Sequence, residues 1–261
     1  MRRQSTRSPH AYHVRPDQLP RDSRTKVLLL AAGRGTRLRP VTDAVPKCLV
    51  PIDGRPLLDF WLDRFREASL REVLINTHHL RERVVDYLEE VNRRGDVSVR
   101  ETFEPELLGS AGTVRANASF CDDVDDCVIV YADNLSAVNL REFLTYHRAH
   151  DEPFTMALFR SERPRECGIA ALDEDGLVTS FIEKPADPPS NLANAGIYAV
   201  TREAYREIAA MEGDDLGFDV LPRYVGRMRG WRLEAYHRDI GTLDALERAR
   251  ADAPEVFARK P

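Results

Sequence analysis

From residue 26 onward, short runs of β-branched and aliphatic residues alternate with longer amphipathic stretches. KVLLLA (26–31), EVLINT (72–77), VSVRETF (97–103) and CVIVYAD (127–133) read as strands, and 57–68, 80–91 and a shorter segment at 113–120 read as the helices between them. Positions 27–30 and 128–130 are apolar without alternation, the pattern of parallel strands covered by helices on both faces. After Asp133 the rhythm changes. A helix at 140–150 is followed by a strand-dominated stretch: FTMALFR, GIAALD, an Asp175-Gly176 turn, LVTSFIEK and AGIYAVT. A last strand at 231–236 precedes a helix at 242–251. The expected fold is α/β, a Rossmann-like, mixed, mostly parallel sheet with helices on both faces.

The first 25 residues do not fit this pattern. They hold six arginines and three prolines but few bulky aliphatics, a composition that cannot offset the entropy of its own ordering. The expectation is a flexible tail over 1–25 and one domain over 26–261. An Arg-rich, acid-poor transit peptide is the competing reading of the tail. No Gly, Ser and Pro linker divides the rest, PADPP at 185–189 is a single stiff loop, and no repeat is visible, in particular no hexapeptide period of the kind that builds a β-helix.

The chain has 261 residues, 31% of them charged, and a formal net charge of −5, which argues against a nucleic-acid partner held by an overall positive field. No apolar run approaches a membrane span, so no membrane partner is expected. The cysteines Cys48, Cys121, Cys127 and Cys167 form neither a C-x-x-C pair nor a zinc-like spacing, and fit a reducing cytoplasm. Any anion site must therefore be a local cluster.

Such a cluster follows the first strand. In LLLAAGRGTRLRPVTDAVPKCLVP (28–51), glycines break the strand and Arg34, Arg37, Arg39 and Lys47 follow closely. A glycine turn lets backbone N–H groups approach an anion, and a forked guanidinium beside a compact ammonium suits a polyphosphate. The spacing is not that of a P-loop, and Leu38 stands where a dinucleotide fingerprint would need its third glycine. That absence argues against an NAD-linked dehydrogenase.

The string A-A-G-x-G-T-R-L-x-P followed by P-K resembles the signature of the sugar-1-phosphate nucleotidylyltransferases, also called nucleoside-diphosphate-sugar pyrophosphorylases, in a short form without a β-helix domain. The resemblance implies that Leu30, Ala31, Gly33, Gly35, Thr36, Arg37 and Lys47 hold a nucleoside triphosphate. It extends to Asp133 at a strand end and to Asp239 in D-I-G-T, which by likeness to the family share a Mg²⁺. FIEKP resembles the family's E-K-P element, implying that Glu183 meets sugar hydroxyls and Lys184 the sugar phosphate. Gly168 and Asn194 fall at similar sugar-pocket positions, although Asn194 reads equally as an Asx-turn residue. Glu104 and Gly109 correspond to the segment facing the base, where a carboxylate would suit guanine's N1–H and amino donors. Asp214, Asp215 and Asp219 flank a further sugar-side element, with Asp219 the candidate. His78 and His79, adjacent on a strand, read as structural or surface residues.

The implied reaction joins an NTP and a sugar 1-phosphate to give an NDP-sugar and pyrophosphate, with GTP and mannose or heptose 1-phosphate favoured. Thymidylyl or uridylyl transfer to glucose 1-phosphate and a non-catalytic sugar-nucleotide sensor are the alternatives. A homodimer would have to use the catalytic domain's own surface.

Overall fold

The computed structural model describes residues 24–258, and the tail expected over 1–25 lies, up to residue 23, outside them. The elements are β1 (Thr25–Leu30), α1 (Val41–Ala44), β2 (Pro51–Ile52), β3 (Arg55–Pro56), α2 (Leu57–Glu67), β4 (Glu72–Thr77), α3 (Arg81–Arg94), β5 (Ser98–Phe103), α4 (Gly109–Ala116), β6 (Asp126–Tyr131), β7 (Asn134–Ser136) and α5 (Leu140–His147). They continue as β8 (Phe154–Arg160), β9 (Gly168–Leu172), β10 (Val178–Glu183), β11 (Leu192–Thr201), α6 (Arg202–Ala210), β12 (Met228–Arg232), β13 (His237–Asp239) and α7 (Leu243–Val256).

The main sheet runs β10-β9-β11-β6-β1-β4-β5, with β8 paired to β11 and β12 paired to β8. Strands β6, β1, β4 and β5 are mutually parallel, as the unbroken apolar runs require; β11 joins β6 antiparallel and carries β8 and β9, also antiparallel. The sheet is mixed as expected, with the parallel half first and the antiparallel extension after Asp133. Alternation along β1 explains why both faces are apolar. Val27 and Leu29 face one core with Leu58, Trp61, Leu62 and Phe65 of α2, whereas Leu28 and Leu30 face another with Ala111 and Val114 of α4 and Tyr205 and Ile208 of α6. Each such side chain contributes roughly 1.5–3 kcal/mol on full burial.

Local chemistry sets the helix starts. Asn139 Oδ1 accepts from Arg141 N and Glu142 N at 3.2 Å to open α5, and Thr242 Oγ1 accepts from Ala245 N at 3.2 Å to open α7, as its sequence position implied. Three details differ from the sequence reading. The helix expected at 113–120 begins earlier, at Gly109, and a separate 3₁₀ turn covers Ala118–Cys121, because two glycines of poor helix propensity mask its first turn. The strand expected at 231–236 lies earlier: β12 ends at Arg232 beside β8, residues 233–236 belong to no strand, and a separate strand, β13, follows them to pair with β7. Helix α6, absent from the sequence pattern, is capped by Thr201, whose Oγ1 accepts from Ala204 N at 3.2 Å.

A third apolar cluster fixes what lies above the sheet. Leu38, Leu135 and Ile240, each fully buried, pack with Ile52, Leu57, Phe60 and Leu246. They are sequence neighbours of Arg37, Asp133 and Asp239, so burial of these three side chains sets where three polar side chains emerge.

At the opposite, amino-terminal end of β6 and β8, His147 is 3% exposed. Its Nδ1 lies 2.8 Å from Thr155 Oγ1 and its Nε2 3.7 Å from Asp126 Oδ1. Burial, helped by His150 and Arg148, pushes its pKa down to about 3. The folded chain thus keeps this imidazole neutral where the unfolded chain, titrating near 6.5, takes up a proton. Its contribution to stability is complete above pH 6.5 and is lost as pH falls toward 3, at about 1.4 kcal/mol per pH unit. Urea midpoints measured from pH 7 to pH 4 should fall more steeply for the wild type than for His147→Gln, and parallel profiles would refute this account.

Candidate active site

The carboxyl ends of β1, β4 and β6 meet where the strand order reverses around β1, the place where open α/β sheets form a crevice. A cavity of about 290 Å³ opens there, lined by the 30–33 turn, Lys47, Asn76, Gly109, Thr113, Tyr131 and Asp133 among others.

The glycine turn follows β1. Gly35 has φ 62°, and a Cβ there would lie 2.8 Å from Thr42 Cγ2, so both backbone and packing demand glycine. Thr42 Oγ1 donates to Gly35 O at 2.7 Å and His79 Nε2 lies 3.0 Å from Thr42 O, which ties the turn to the end of β4. His78 Nδ1 lies 2.8 Å from Glu104 O instead, so the two histidines diverge onto backbone carbonyls and are structural, as read. Around Gly33 a Cβ would meet nothing within 4 Å, leaving the backbone open toward the cleft. Thr36 and Arg37 begin the 3₁₀ turn that Leu38 anchors.

A buried polar network that sequence reading missed sets the start of the turn. Asn76 Oδ1 accepts from Ala31 N at 2.6 Å and Ala32 N at 3.3 Å, and Asn76 Nδ2 donates to Glu104 Oε1 at 2.8 Å and Thr113 Oγ1 at 3.0 Å. Thr113 Oγ1 donates to the same Glu104 oxygen at 2.5 Å, and Glu104 Oε2 accepts from Leu108 N at 3.2 Å. Glu104 is 2% exposed, so its carboxyl braces Asn76 and α4 and does not face the cavity, contrary to the base-reading role expected of it. The signal for Asn76 was a polar residue at the end of an otherwise apolar strand. Its partners come from three separate elements, which no local pattern displays.

The cation and carboxylate cluster lies beside this network. Lys47 sits on a 3₁₀ turn fixed by buried Pro46 and Cys48. Its ammonium donates to Asp133 Oδ2 at 2.7 Å and stands 3.7 Å from Asp239 Oδ1. Asp239 reaches Asp133 because β13 pairs with β7 in the register Asp239↔Asn134, reinforced by Ile240 N donating to Asp133 O at 3.1 Å. Gly241 N donates to Asp239 Oδ1 at 2.6 Å, and Arg37 Nη2 lies so near Gly241 that a Cβ there would be 2.9 Å away. Burial pushes the Asp133 carboxyl up, but the Lys47 ammonium overrides it and holds the group below the usual range. Burial and the Asp133 charge hold Asp239 above its own.

Two carboxylates this close, with one ammonium between them, form an all-oxygen donor set of the hard type that Mg²⁺ prefers. Among the described residues no cluster of three or more His, Cys, Asp or Glu could hold a metal alone. The pair therefore fits an ion that takes its remaining ligands from phosphate and water.

Across the cleft, β10 ends at Glu183, opposite Gly168 of β9. A Cβ on Gly168 would overlap both the Glu183 carboxylate and the Phe181 ring, and one on Gly217 would sit 2.7 Å from Glu183 Oε2. The carboxylate thus stands between two glycines, and burial raises its pKa against the opposing pull of Lys184. Lys184 follows at φ 47°, with its half-exposed ammonium over the Phe218 ring at 5.6 Å. Asn194 Oδ1 accepts from Gly196 N at 2.9 Å, the Asx turn weighed above, while its Nδ2 donates to Tyr198 Oη at 2.7 Å. Tyr131 lies in the cavity wall, its hydroxyl held well above the phenol range by burial and by the carboxylates of Asp215, Asp133 and Glu183. Asp133 and Glu183 thus act on the same hydroxyl in the cavity wall.

Asp219 is a loop support. Its Oδ2 accepts from Asp214 N and Asp215 N at 2.9 Å, and the carboxylate lining the cavity is that of Asp215. Gly109 has φ 76°, and a Cβ there would overlap Asp214 O, which also accepts from Ala111 N at 2.9 Å. The 211–215 loop is thereby fastened to the first turn of α4. Among the described residues all cysteines are free thiols and no helix is long and apolar enough to cross a membrane.

Comparison with known proteins agrees with this geometry. A mannose-1-phosphate guanylyltransferase of Mycobacterium tuberculosis is 29% identical over 90% of this chain and 66% of its own length. A UTP–glucose-1-phosphate uridylyltransferase of Synechocystis is 31% identical over 77% of this chain and 55% of its own. The chain thus spans about half to two thirds of the length of such relatives. A crystal structure from Bacillus anthracis, described as a glucose-1-phosphate thymidylyltransferase in complex with a sucrose, shares the fold with a TM-score of 0.80 at 23% identity, over 90% of this chain and 98% of that one. The nucleotidyl transferase family itself matches residues 26–255, and with the glycine turn set beside the paired aspartates, the chain belongs to that family.

Proposed function

We propose that the protein transfers a nucleoside monophosphate from an NTP to a sugar 1-phosphate, releasing pyrophosphate, with GTP and mannose 1-phosphate or a heptose 1-phosphate as the first pair to test. The observation that carries this reading is the convergence of Lys47, Asp133 and Asp239 beside an open glycine turn, with the Glu183 charge reaching Tyr131 in the wall of the same cavity. The guanylyl preference draws on the mannose-1-phosphate guanylyltransferase relative. Because the Glu104 carboxyl is engaged internally and Leu30 O accepts from Ala132 N, recognition of guanine's donors would fall to main-chain carbonyls of residues 31–33.

In this reaction an oxygen of the sugar phosphate forms a bond to the α-phosphorus as the bond from that phosphorus to the bridging oxygen breaks, and pyrophosphate leaves in line. A phosphate monoester is nucleophilic enough at neutral pH, so no side-chain nucleophile is required. The protein's task is to hold two anions together and offset charge as it builds. Arg37 and Lys47 would contact the triphosphate, Lys184 the sugar phosphate, and Glu183 the sugar hydroxyls. Asp133 and Asp239 would hold Mg²⁺, which when bound supplies charge neutralisation at the phosphates.

Pyrophosphate release across a grid of GTP, dTTP, UTP, ATP and CTP against mannose, glucose and heptose 1-phosphates should give a productive pair that Asp133→Asn abolishes. Silence over the whole grid, with an NTP bound in calorimetry, would replace the catalytic reading with that of a sensor. Arg37→Ala and Lys184→Ala should each lower kcat/KM by roughly 10²–10³-fold, and near-wild-type turnover in a folded variant would remove that residue from the chemistry. Gly168→Ala, which must displace Glu183, should raise KM for the sugar phosphate by about tenfold or more and leave KM for the NTP within about twofold; equal effects on both would contradict a sugar-side role.

A further inference from the structure

Lys47 lies between two possible partners. Its Cβ packs against Gly35, 3.4 Å from where a glycine Cβ would stand, so the side chain starts at the phosphate turn. Its ammonium nevertheless points the other way, 2.7 Å from Asp133 Oδ2 and 3.7 Å from Asp239 Oδ1. The backbone cannot carry it elsewhere, since Pro46 and Cys48 are buried on either side. The side chain, 8% exposed, borders the cavity together with Ala32 and Gly33.

The oxygens that the ammonium uses are those a divalent ion would need. Mg²⁺ binds oxygen at roughly 2.0–2.1 Å and tolerates little distortion. An ammonium hydrogen-bonded to the same carboxylate would face a doubly charged neighbour in a cleft that screens poorly. The ammonium holds one oxygen of Asp133 and stands near one of Asp239, so a divalent ion between the two carboxylates competes with it.

Building on the reading of Asp133 and Asp239 as metal carboxylates, we propose that Lys47 is the counter-cation of this carboxylate pair: a divalent ion displaces its ammonium from Asp133, and the freed ammonium turns to the nucleotide's phosphates. The exchange leaves each charge compensated before and after. It makes metal binding weak in the absence of nucleotide, since the ion must evict a hydrogen-bonded ammonium that then has no partner. A triphosphate supplies that partner and so strengthens metal binding through Lys47 as well as through its own oxygens. Arg37 serves as the internal comparison, because it carries the same charge near the same carboxylates but donates no hydrogen bond to either among the described residues.

The test is Mn²⁺ binding to the full chain without nucleotide, read from the electron paramagnetic resonance signal of free Mn²⁺. Lys47→Met should bind Mn²⁺ about tenfold or more tightly than the wild type, Arg37→Met less than about threefold more tightly, and Asp133→Asn added to Lys47→Met should abolish the gain. Equal gains from Lys47→Met and Arg37→Met would reduce Lys47 to one contributor to a general field and overturn the proposal. So would a gain that survives Asp133→Asn. A measurement on the unmodified protein guards against misfolded variants: acetylation of Lys47 by acetic anhydride, followed by peptide mass spectrometry, should accelerate at Mg²⁺ concentrations shown by competition to displace bound Mn²⁺ fully, and an unchanged rate there would overturn the exchange. The readings fail separately, since an empty substrate grid defeats the proposed reaction while the Mn²⁺ comparison still decides the role of Lys47.

Discussion

The short antiparallel ladder between β7 and β13 is the constraint on which the site depends. It joins a segment just past the parallel half of the sheet to one near the end of the chain, and its register sets Asp239 beside Asn134, hence next to Asp133. Two strands of three residues cannot hold such a register alone. The third apolar cluster holds it for them, because Leu135 and Ile240, one from each partner, are buried with Leu38 from the glycine turn and Leu246 from α7. Like-charged carboxylates are thus kept together by nearby apolar burial, with the Lys47 ammonium offsetting part of their repulsion.

What could be read from the sequence follows from how local its cause is. Gly35 could be identified because a left-handed turn after a buried strand needs glycine, and the structure gives it φ 62°. Asp133, at the end of an apolar run, could be placed at a strand's carboxyl end, and Thr242 could be named as a cap, since each depends on a few neighbours. The parallel half of the sheet was equally visible, because burial on both faces removes alternation from β1 and β6.

The remainder depends on contacts between distant segments. Glu104 sits in a stretch that resembles a base-facing element, yet its partners Asn76 and Thr113 lie on β4 and α4, and only their convergence turns the carboxyl inward. Choosing among Asp214, Asp215 and Asp219 required knowing that Asp219 accepts from the backbone of the other two, which is invisible in an acidic run. The segment 231–236 looked like one strand because its residue types suit a strand throughout. Only Trp231 and Arg232 find a strand partner, on β8; residues 233–236 leave the sheet, and the next pairing, with β7, starts at His237.

The fastening of the 211–215 loop to the first turn of α4 has a consequence for how such a cleft diversifies. Asp214 O accepts from Ala111 N, Arg115 Nη2 meets Asp214 Oδ1 at 2.6 Å, and Ser110 Oγ accepts from Leu216 N at 2.8 Å, so one lip is stitched to the other at three points. The upper lip continues into the Glu104 network, and the lower one into Gly217, against which the Glu183 carboxylate rests. Substitutions that reshape one lip are therefore transmitted to its neighbour, and selectivity at the two ends of the cleft is not a pair of independent variables. Protein engineering that aims to alter either end has to treat residues 104–115 and 211–219 as a single unit of design.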